Sequence, residues 1–179
     1  GKAIFDAASN RPEPIPVYAE MGSSNPVFIL PDALKQNGSE IAQGLTNSVT
    51  LGVGQFCTNP GIVFLENTET LPSFKQAVAE NFEQVEANTM LNGGIKNAFD
   101  KGIAFLNSKN DVNLLAKGKV NDQGYKGTSY VFETSAKNFI KENYLEEENF
   151  GPSTITITAD SKEELLAAAN KLQGHLTAT

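Results

Sequence analysis

The chemistry available to this chain centres on Cys57, the single cysteine of 179 residues, in the segment Gly54-Gln55-Phe56-Cys57-Thr58-Asn59-Pro60-Gly61. A thiolate with partial solvent access is a nucleophile, whereas a cysteine packed in a core is a small inert hydrophobe. Glycines on both sides allow the backbone close to a substrate, and Gln55 brings a polar side chain into an apolar run; taken alone, these residues leave both readings open. Glu20, in Val17-Tyr18-Ala19-Glu20-Met21-Gly22-Ser23, is the second group. A carboxylate inside an apolar strand is costly to bury unless it is paired or its pKa rises, and a raised pKa suits a general base working near neutral pH. The alternative is a surface glutamate on the open face of an edge strand. His175, the only histidine, permits a Cys57/His175 cysteine hydrolase, although no base lies near Cys57 in sequence. It also reads as a bystander near a helix C-terminus, where positive charge is favourable. A non-catalytic interaction domain is a further alternative, because a fold does not fix a function.

The elements that must position these groups follow from periodicity. Gly1 to Ala8 reads as mid-helix, and Arg11-Pro12-Glu13-Pro14-Ile15-Pro16 is a connector that no helix can cross. Ile15 to Met21 and Pro26 to Leu30 read as two short strands around the turn Gly22-Ser23-Ser24-Asn25, so Glu20 is expected at a strand end. Ile41, Leu45, Val49 and Val53 recur at helical spacing between Gly38 and about Phe56, which places Cys57 at a helix C-terminus. Gly61 to Leu65 is a buried strand, and helices are expected over Leu71 to Ala87 and Ile95 to Leu106. Val112 to Ala116 and Thr128 to Thr134 read as strands flanking a polar loop or ragged pair over Lys117 to Gly127, and Asn143 to Pro152 reads as a loop. Ser153 to Thr158 alternates polar and apolar residues, which predicts a strand with one solvated or edge-facing side. Asp160 or Ser161 then caps a helix with Glu163 and Glu164 in its first turn and Leu165, Leu166 and Leu172 on its apolar side. Strands alternating with helices predict an α/β layered domain with a largely parallel sheet.

Composition narrows the function classes. Lys+Arg 14 against Asp+Glu 21 gives a net charge of -7 with no basic cluster, which argues against nucleic acid as a partner. One cysteine excludes an internal disulfide and a cysteine-based zinc site, so no metal is expected, and it fits a reducing cytosol and hence a cytoplasmic location. No apolar stretch approaches the roughly 20 residues that span a bilayer and no secretory pattern opens the chain, so no membrane partner is expected. The chain begins at Gly1 without an initiator methionine, which predicts a processed chain or a fragment.

In order along the chain, Glu20-Met21-Gly22, Gly54-Gln55-Phe56-Cys57 and Glu148-Asn149-Phe150-Gly151-Pro152 resemble the general-base, nucleophile and cofactor-facing segments of the aldehyde dehydrogenase superfamily. Arg11 to Tyr18 and Gly54 to Gly61 look most like its 2,5-dioxovalerate (α-ketoglutaric semialdehyde) dehydrogenases and the NADP-dependent fatty aldehyde dehydrogenases near them. The resemblance implies a three-layer α/β/α catalytic domain across residues 1–179. It implies that Cys57 attacks an aldehyde to form a thiohemiacetal, that hydride passes to NADP or NAD, and that Glu20 activates the water that hydrolyses the thioester. The Cys57 backbone N–H would stabilise the oxyanion. Glu148 would hold the nicotinamide ribose, Phe150 would pack near the nicotinamide ring, and Phe56 and Thr58 would shape the substrate pocket. Glu148 also reads as one of three solvated acids, Glu146 to Glu148, and Phe150 as core. Ser23 stands where most of the superfamily has a second glycine. The resemblance further implies an N-terminal cofactor-binding domain and an oligomerisation arm outside this chain, a homo-oligomeric parent, and an isolated chain without activity. An unpaired sheet edge is the expected consequence of a missing arm.

Overall fold

The structure is a computed structural model that describes residues 1–121 and 123–179. Helix α1 (Lys2–Ser9) opens the chain and buries none of its residues. The connector folds back on it, with Ile15 N–H donating to the Ala8 carbonyl at 3.3 Å. Ile15 to Met21 is not a strand but an exposed, irregular stretch. The physical reason is pairing: β-prone residues form a strand only when a neighbour takes up their backbone groups, and no strand among the described residues runs beside them. The second expected strand is β1 (Val27–Ile29).

Helix α2 (Pro31–Thr50) starts earlier than its apolar stripe indicates, with Pro31 in its first turn, where the missing N–H costs nothing. A kink at Asn37 (φ -135°, ψ 24°) separates that first part from the portion beginning at Gly38. Leu34, Ala42, Leu45 and Val49 are its buried apolar residues. Strand β2 (Ile62–Glu66) is followed by α3 (Leu71–Glu83), which buries Leu71, Phe74, Val78 and Phe82. Strand β3 (Asn88–Thr89) precedes α4 (Gly93–Asn107), whose N-cap Asn92 accepts from the Ile95 N–H at 3.0 Å. Strands β4 (Asn113–Lys117), β5 (Lys126–Gly127) and β6 (Tyr130–Ser135) come next, then the short helix α5 (Ala136–Lys141), which the sequence pattern missed. β5 pairs with β3, so the expected ragged 117–127 stretch is in part a two-stranded ribbon; Asp122 lies outside the described residues.

Strand β7 (Ser153–Ala159) and helix α6 (Lys162–Lys171) complete the chain's regular structure. The sheet order is β1-β2-β7-β6-β4, parallel throughout except for β4, which runs antiparallel to β6. β7 is therefore the central strand, and the expectation of a solvated or edge-facing side is wrong. Thr154 and Thr156 are at most 1% exposed, and the Thr156 hydroxyl donates to the Phe132 carbonyl at 3.1 Å. Thr156 satisfies its hydroxyl on the backbone, whereas the Thr154 and Thr158 hydroxyls are buried without a partner among the described residues, so alternation with isoleucine carries no information about solvent.

Helices cover both faces. Ile62 and Phe64 join α4, α5 and α6 in one core, whereas Val63 and Leu65 join α2 and α3 in the other, as the period of two along a strand requires. The three-layer α/β/α architecture is thus the observed one. Ser161 caps α6 by accepting from the Glu164 N–H, and Leu165 is buried, but Leu166 faces outward at 53% exposure. After α6 the tail returns to β1, where Phe28 N–H donates to the Thr179 carbonyl at 2.7 Å and Thr179 N–H to the Pro26 carbonyl at 3.0 Å. At the opposite margin β4 has no outer strand among the described residues, and its Leu114 is 47% exposed.

Candidate active site

Three loops meet at the end of the sheet from which β1 and β2 start. The first carries Cys57. Helix α2 ends at Thr50, and a tight turn over Leu51–Gly54 follows in which Gly52, Val53 and Gly54 all have positive φ (56°, 59° and 65°). Val53, read from sequence as the last residue of the helical stripe, is instead a β-branched residue in the left-handed region, at a cost of about 1–2 kcal/mol. Gly54 has a further reason to lack a side chain: a Cβ there would lie 2.5 Å from the Pro152 nitrogen and closer still to the Gly151 carbonyl. Gln55 staples the turn from both ends of its amide, accepting from the Leu91 N–H at 2.9 Å and donating to the Gly52 carbonyl at 3.0 Å. Cys57 then sits exposed, so the inert core reading of the thiol does not hold. Its backbone N–H has no hydrogen-bond partner among the described residues.

The second loop carries Glu148 to Gly151. Asn59 donates to the Gly151 carbonyl at 3.2 Å, which together with the Gly54 contact locks this loop onto the turn that carries Cys57. Glu148 is exposed and has no cation partner among the described residues; the desolvation it does undergo pushes its carboxyl above the usual range, offset in part by a hydrogen bond from the Ser23 backbone. Phe150 is 36% exposed, so it is not a core residue. The third loop is Glu20 to Ser24. Glu20 is exposed in it, which corrects the expectation of a carboxylate buried at a strand end.

Glu20, Cys57, Glu148 and Phe150 line one open cleft of about 470 Å³, together with Met21, Gly22, Ser23 and His175. The structure thus brings together four of the residues singled out from sequence. Phe56 and Thr58 point elsewhere. Phe56 packs its ring over Gly52, and Thr58 lines a separate groove beside Val27, Ile41 and Thr177.

His175 reaches the cleft without being free to act as a base. Its Nδ1 accepts from the Ser24 N–H at 3.2 Å and its Nε2 lies 3.1 Å from Glu146 Oε1, an arrangement met by the tautomer with its proton on Nε2. Both nitrogens are engaged, which removes the Cys57/His175 dyad. The histidine is not a bystander either. It lies beyond α6 with a side chain only 9% exposed, tying the tail to Ser24 and, through Glu146, to the second loop. Glu146 also accepts from the Gln173 N–H at 2.6 Å, and the Ser24 hydroxyl donates to the Glu146 carbonyl at 2.6 Å. The sequence marks Glu146 only as a solvated acid and Asn25 only as a turn residue, because their partners lie up to 152 positions away and no local spacing reveals them.

A dinucleotide fits this cleft at one end only. The Glu148 carboxylate and an exposed aromatic ring suit a ribose and a planar ring, whereas among the described residues no lysine or arginine lines the cleft or the acidic recess beside it to meet phosphates. No group of three or more metal-binding side chains is found among the described residues, and no described helix is long and apolar enough to cross a membrane.

A sequence profile described as the aldehyde dehydrogenase family matches residues 1–179. The chain belongs to the aldehyde dehydrogenase family. It is 37% identical over its whole length to alpha-ketoglutaric semialdehyde dehydrogenase 2 of Azospirillum brasilense. It is 34% identical to alpha-ketoglutaric semialdehyde dehydrogenase of Acinetobacter baylyi. In both cases this aldehyde dehydrogenase segment spans 34% of the relative's length. Among solved structures, a NAD-dependent benzaldehyde dehydrogenase from Corynebacterium glutamicum superposes with a TM-score of 0.78 over 99% of this chain and 38% of that one, at 20% identity, a likeness of fold.

Proposed function

We propose that this chain is the catalytic domain of an NAD(P)-dependent aldehyde dehydrogenase that oxidises a semialdehyde, 2,5-dioxovalerate, to its carboxylate. The convergence of Cys57, Glu20, Glu148 and Phe150 on one open cleft carries the proposal. Cys57 Sγ adds to the aldehyde carbon, forming a C–S bond and an oxyanion to which the Cys57 N–H, without a partner among the described residues, can donate. Glu148 and Phe150 hold the ribose and nicotinamide end of NADP or NAD. When bound, that cofactor supplies the two-electron acceptor. Glu20, at the rim and open to water, takes a proton from the water that cleaves the acyl–Sγ bond, which restores the thiol. The names of the two bacterial relatives, at 34–37% identity, support the choice of a ketoglutarate-type semialdehyde over a fatty aldehyde.

The rest of the machinery belongs to a longer polypeptide. Support comes from the missing phosphate-binding cations and from apolar surface left uncovered at the N-terminal end: Ile4 is 68% exposed, Tyr18 96% and Met21 66%. A cofactor-binding domain preceding Gly1 would cover it, and a strand from an oligomerisation arm would pair with β4. The isolated chain is accordingly expected to show no dehydrogenase turnover.

Labelling Cys57 with iodoacetamide tests the assignment on the 179-residue chain. Excess 2,5-dioxovalerate should slow labelling in a saturable way by adding to the thiol. Equal rates with and without the aldehyde would contradict the proposal.

A further inference from the structure

We infer that Asn25, a residue outside the four that line the cleft as reacting or cofactor-holding groups, is the positioning residue that holds the nucleophile turn in register with the general-base loop and the C-terminal tail. This rests on the reading of Cys57 as the nucleophile. Asn25 is 2% exposed, and its side-chain amide joins three segments that are distant in sequence. Nδ2 donates to the Cys57 carbonyl at 2.8 Å and to the Asn59 carbonyl at 2.9 Å. Oδ1 accepts from the Ser23 hydroxyl at 2.7 Å, from the Thr177 N–H at 3.2 Å and from the Thr177 hydroxyl at 3.0 Å. The orientation of the amide is fixed by its partners, since carbonyls only accept and a backbone N–H only donates. Both donor hydrogens and both acceptor lone pairs are therefore used, and no other side chain of this size offers that set.

The backbone points the same way. Asn25 has φ 43°, in the left-handed region where asparagine is among the few tolerated residues besides glycine, and Pro26 follows it directly. That conformation turns the amide inward, where it bonds the carbonyls of Cys57 and Asn59 on the turn that carries the thiol. The turn's own bond, Asn59 N–H to the Phe56 carbonyl at 3.0 Å, lies between those anchors. Without Asn25 the turn keeps Gln55 at its start and Asn59 against Gly151 at its end, but no other group among the described residues grips the Cys57 carbonyl.

Two substitutions separate the halves of the amide. Asn25→Gly removes the side chain without straining φ. Asn25→Asp keeps an acceptor for Thr177 and removes both donors to the turn. Amide hydrogen exchange on the 179-residue chain reads the outcome residue by residue. Asn25→Gly should speed exchange at Asn59 and Thr177 by about tenfold, the loss of roughly one hydrogen bond, and leave α3 and β7 unchanged. Asn25→Asp should keep Thr177 near its original rate and leave Asn59 as fast as in the glycine variant. Iodoacetamide labelling of Cys57, measured where the thiol is fully ionised, should change by at least about threefold in Asn25→Gly, an effect of loop geometry and not of thiol pKa.

Original protection at Asn59 in both variants would overturn the inference. So would uniform acceleration across all elements or unfolding of both variants, since Asn25 would then hold the fold and not the turn. An unchanged labelling rate alongside faster exchange at Asn59 would overturn its link to Cys57. Failure of the nucleophile reading appears separately, as a Cys57 in the unaltered chain that ignores the aldehyde, and leaves the exchange pattern as it is.

Discussion

Gly54→Ala should weaken the chain out of proportion to the one methyl group it adds. Gly54 has φ 65°, which costs alanine about 1–2 kcal/mol. The new Cβ would also lie 2.5 Å from the Pro152 nitrogen and nearer to the Gly151 carbonyl. Those are backbone atoms on a loop fixed at Asn59, so they cannot swing away as a side-chain tip would, and overpacking of this kind costs about 1–3 kcal/mol. The two effects together come to about 2–5 kcal/mol, which for a chain of this length lowers Tm by roughly 4–20 °C. Gly44→Ala is the matched control: it sits inside α2 with nothing within 4 Å of its Cβ position, and alanine there should stabilise by up to about 1 kcal/mol. Thermal unfolding followed by circular dichroism compares the two. Equal Tm values for both variants, or a Gly54→Ala Tm at or above that of the unaltered chain, would refute the claim that the Cys57 turn and the Glu148–Gly151 loop are packed backbone to backbone.

Burial raises the folded-state pKa of Glu148, so the fold is penalised for its ionised form. That penalty is absent below the ordinary carboxylate range and develops as pH rises through the raised folded value. Glu148→Gln should therefore raise Tm at pH 7 and converge with the unaltered chain at about pH 4; a gain that persists in acid would show a different origin. Ser161→Ala removes the α6 cap on the Glu164 N–H and should cost about 1 kcal/mol in urea unfolding, whereas Ser161→Asp should restore it. The open outer edge of β4 predicts concentration-dependent association of this chain, reduced by a proline at Leu114; a strictly monomeric sedimentation profile at high concentration would count against it.

The layered fold was legible because most of its elements declare their faces locally. Phe74, Val78 and Phe82 repeat at helical spacing and are three of the four residues α3 buries, and the apolar run from Ile62 to Leu65 is buried on both sides. The errors share one cause, which is that burial and pairing are decided by distant partners. Ile15 to Met21 has strand composition but no neighbour to pair with, and the threonines of β7 are interior because β7 lies between β2 and β6. Val53 continued the α2 stripe by spacing, yet the chain must reverse there to present Cys57. At the site, residue type pointed to Cys57 and Glu20, because a thiol and a carboxylate in glycine-flanked segments carry their chemistry with them, whereas Glu148 and Phe150 were singled out only through the resemblance of their segment to the aldehyde dehydrogenases. Asn25, Glu146 and His175 act through contacts to the far ends of the chain, so nothing beside them in sequence marks the role.

The central claim is that Cys57 forms the covalent bond to substrate and Glu20 activates the water that breaks it. The most direct test is a rapid-mixing experiment on the polypeptide that carries these 179 residues together with a cofactor-binding domain. Glu20→Gln, mixed with 2,5-dioxovalerate and NADP or NAD, should release one burst of reduced cofactor per Cys57 and then turn over about 10²- to 10⁴-fold more slowly than the unaltered enzyme, while Cys57→Ser gives no burst. Undiminished steady turnover in either variant would contradict the account.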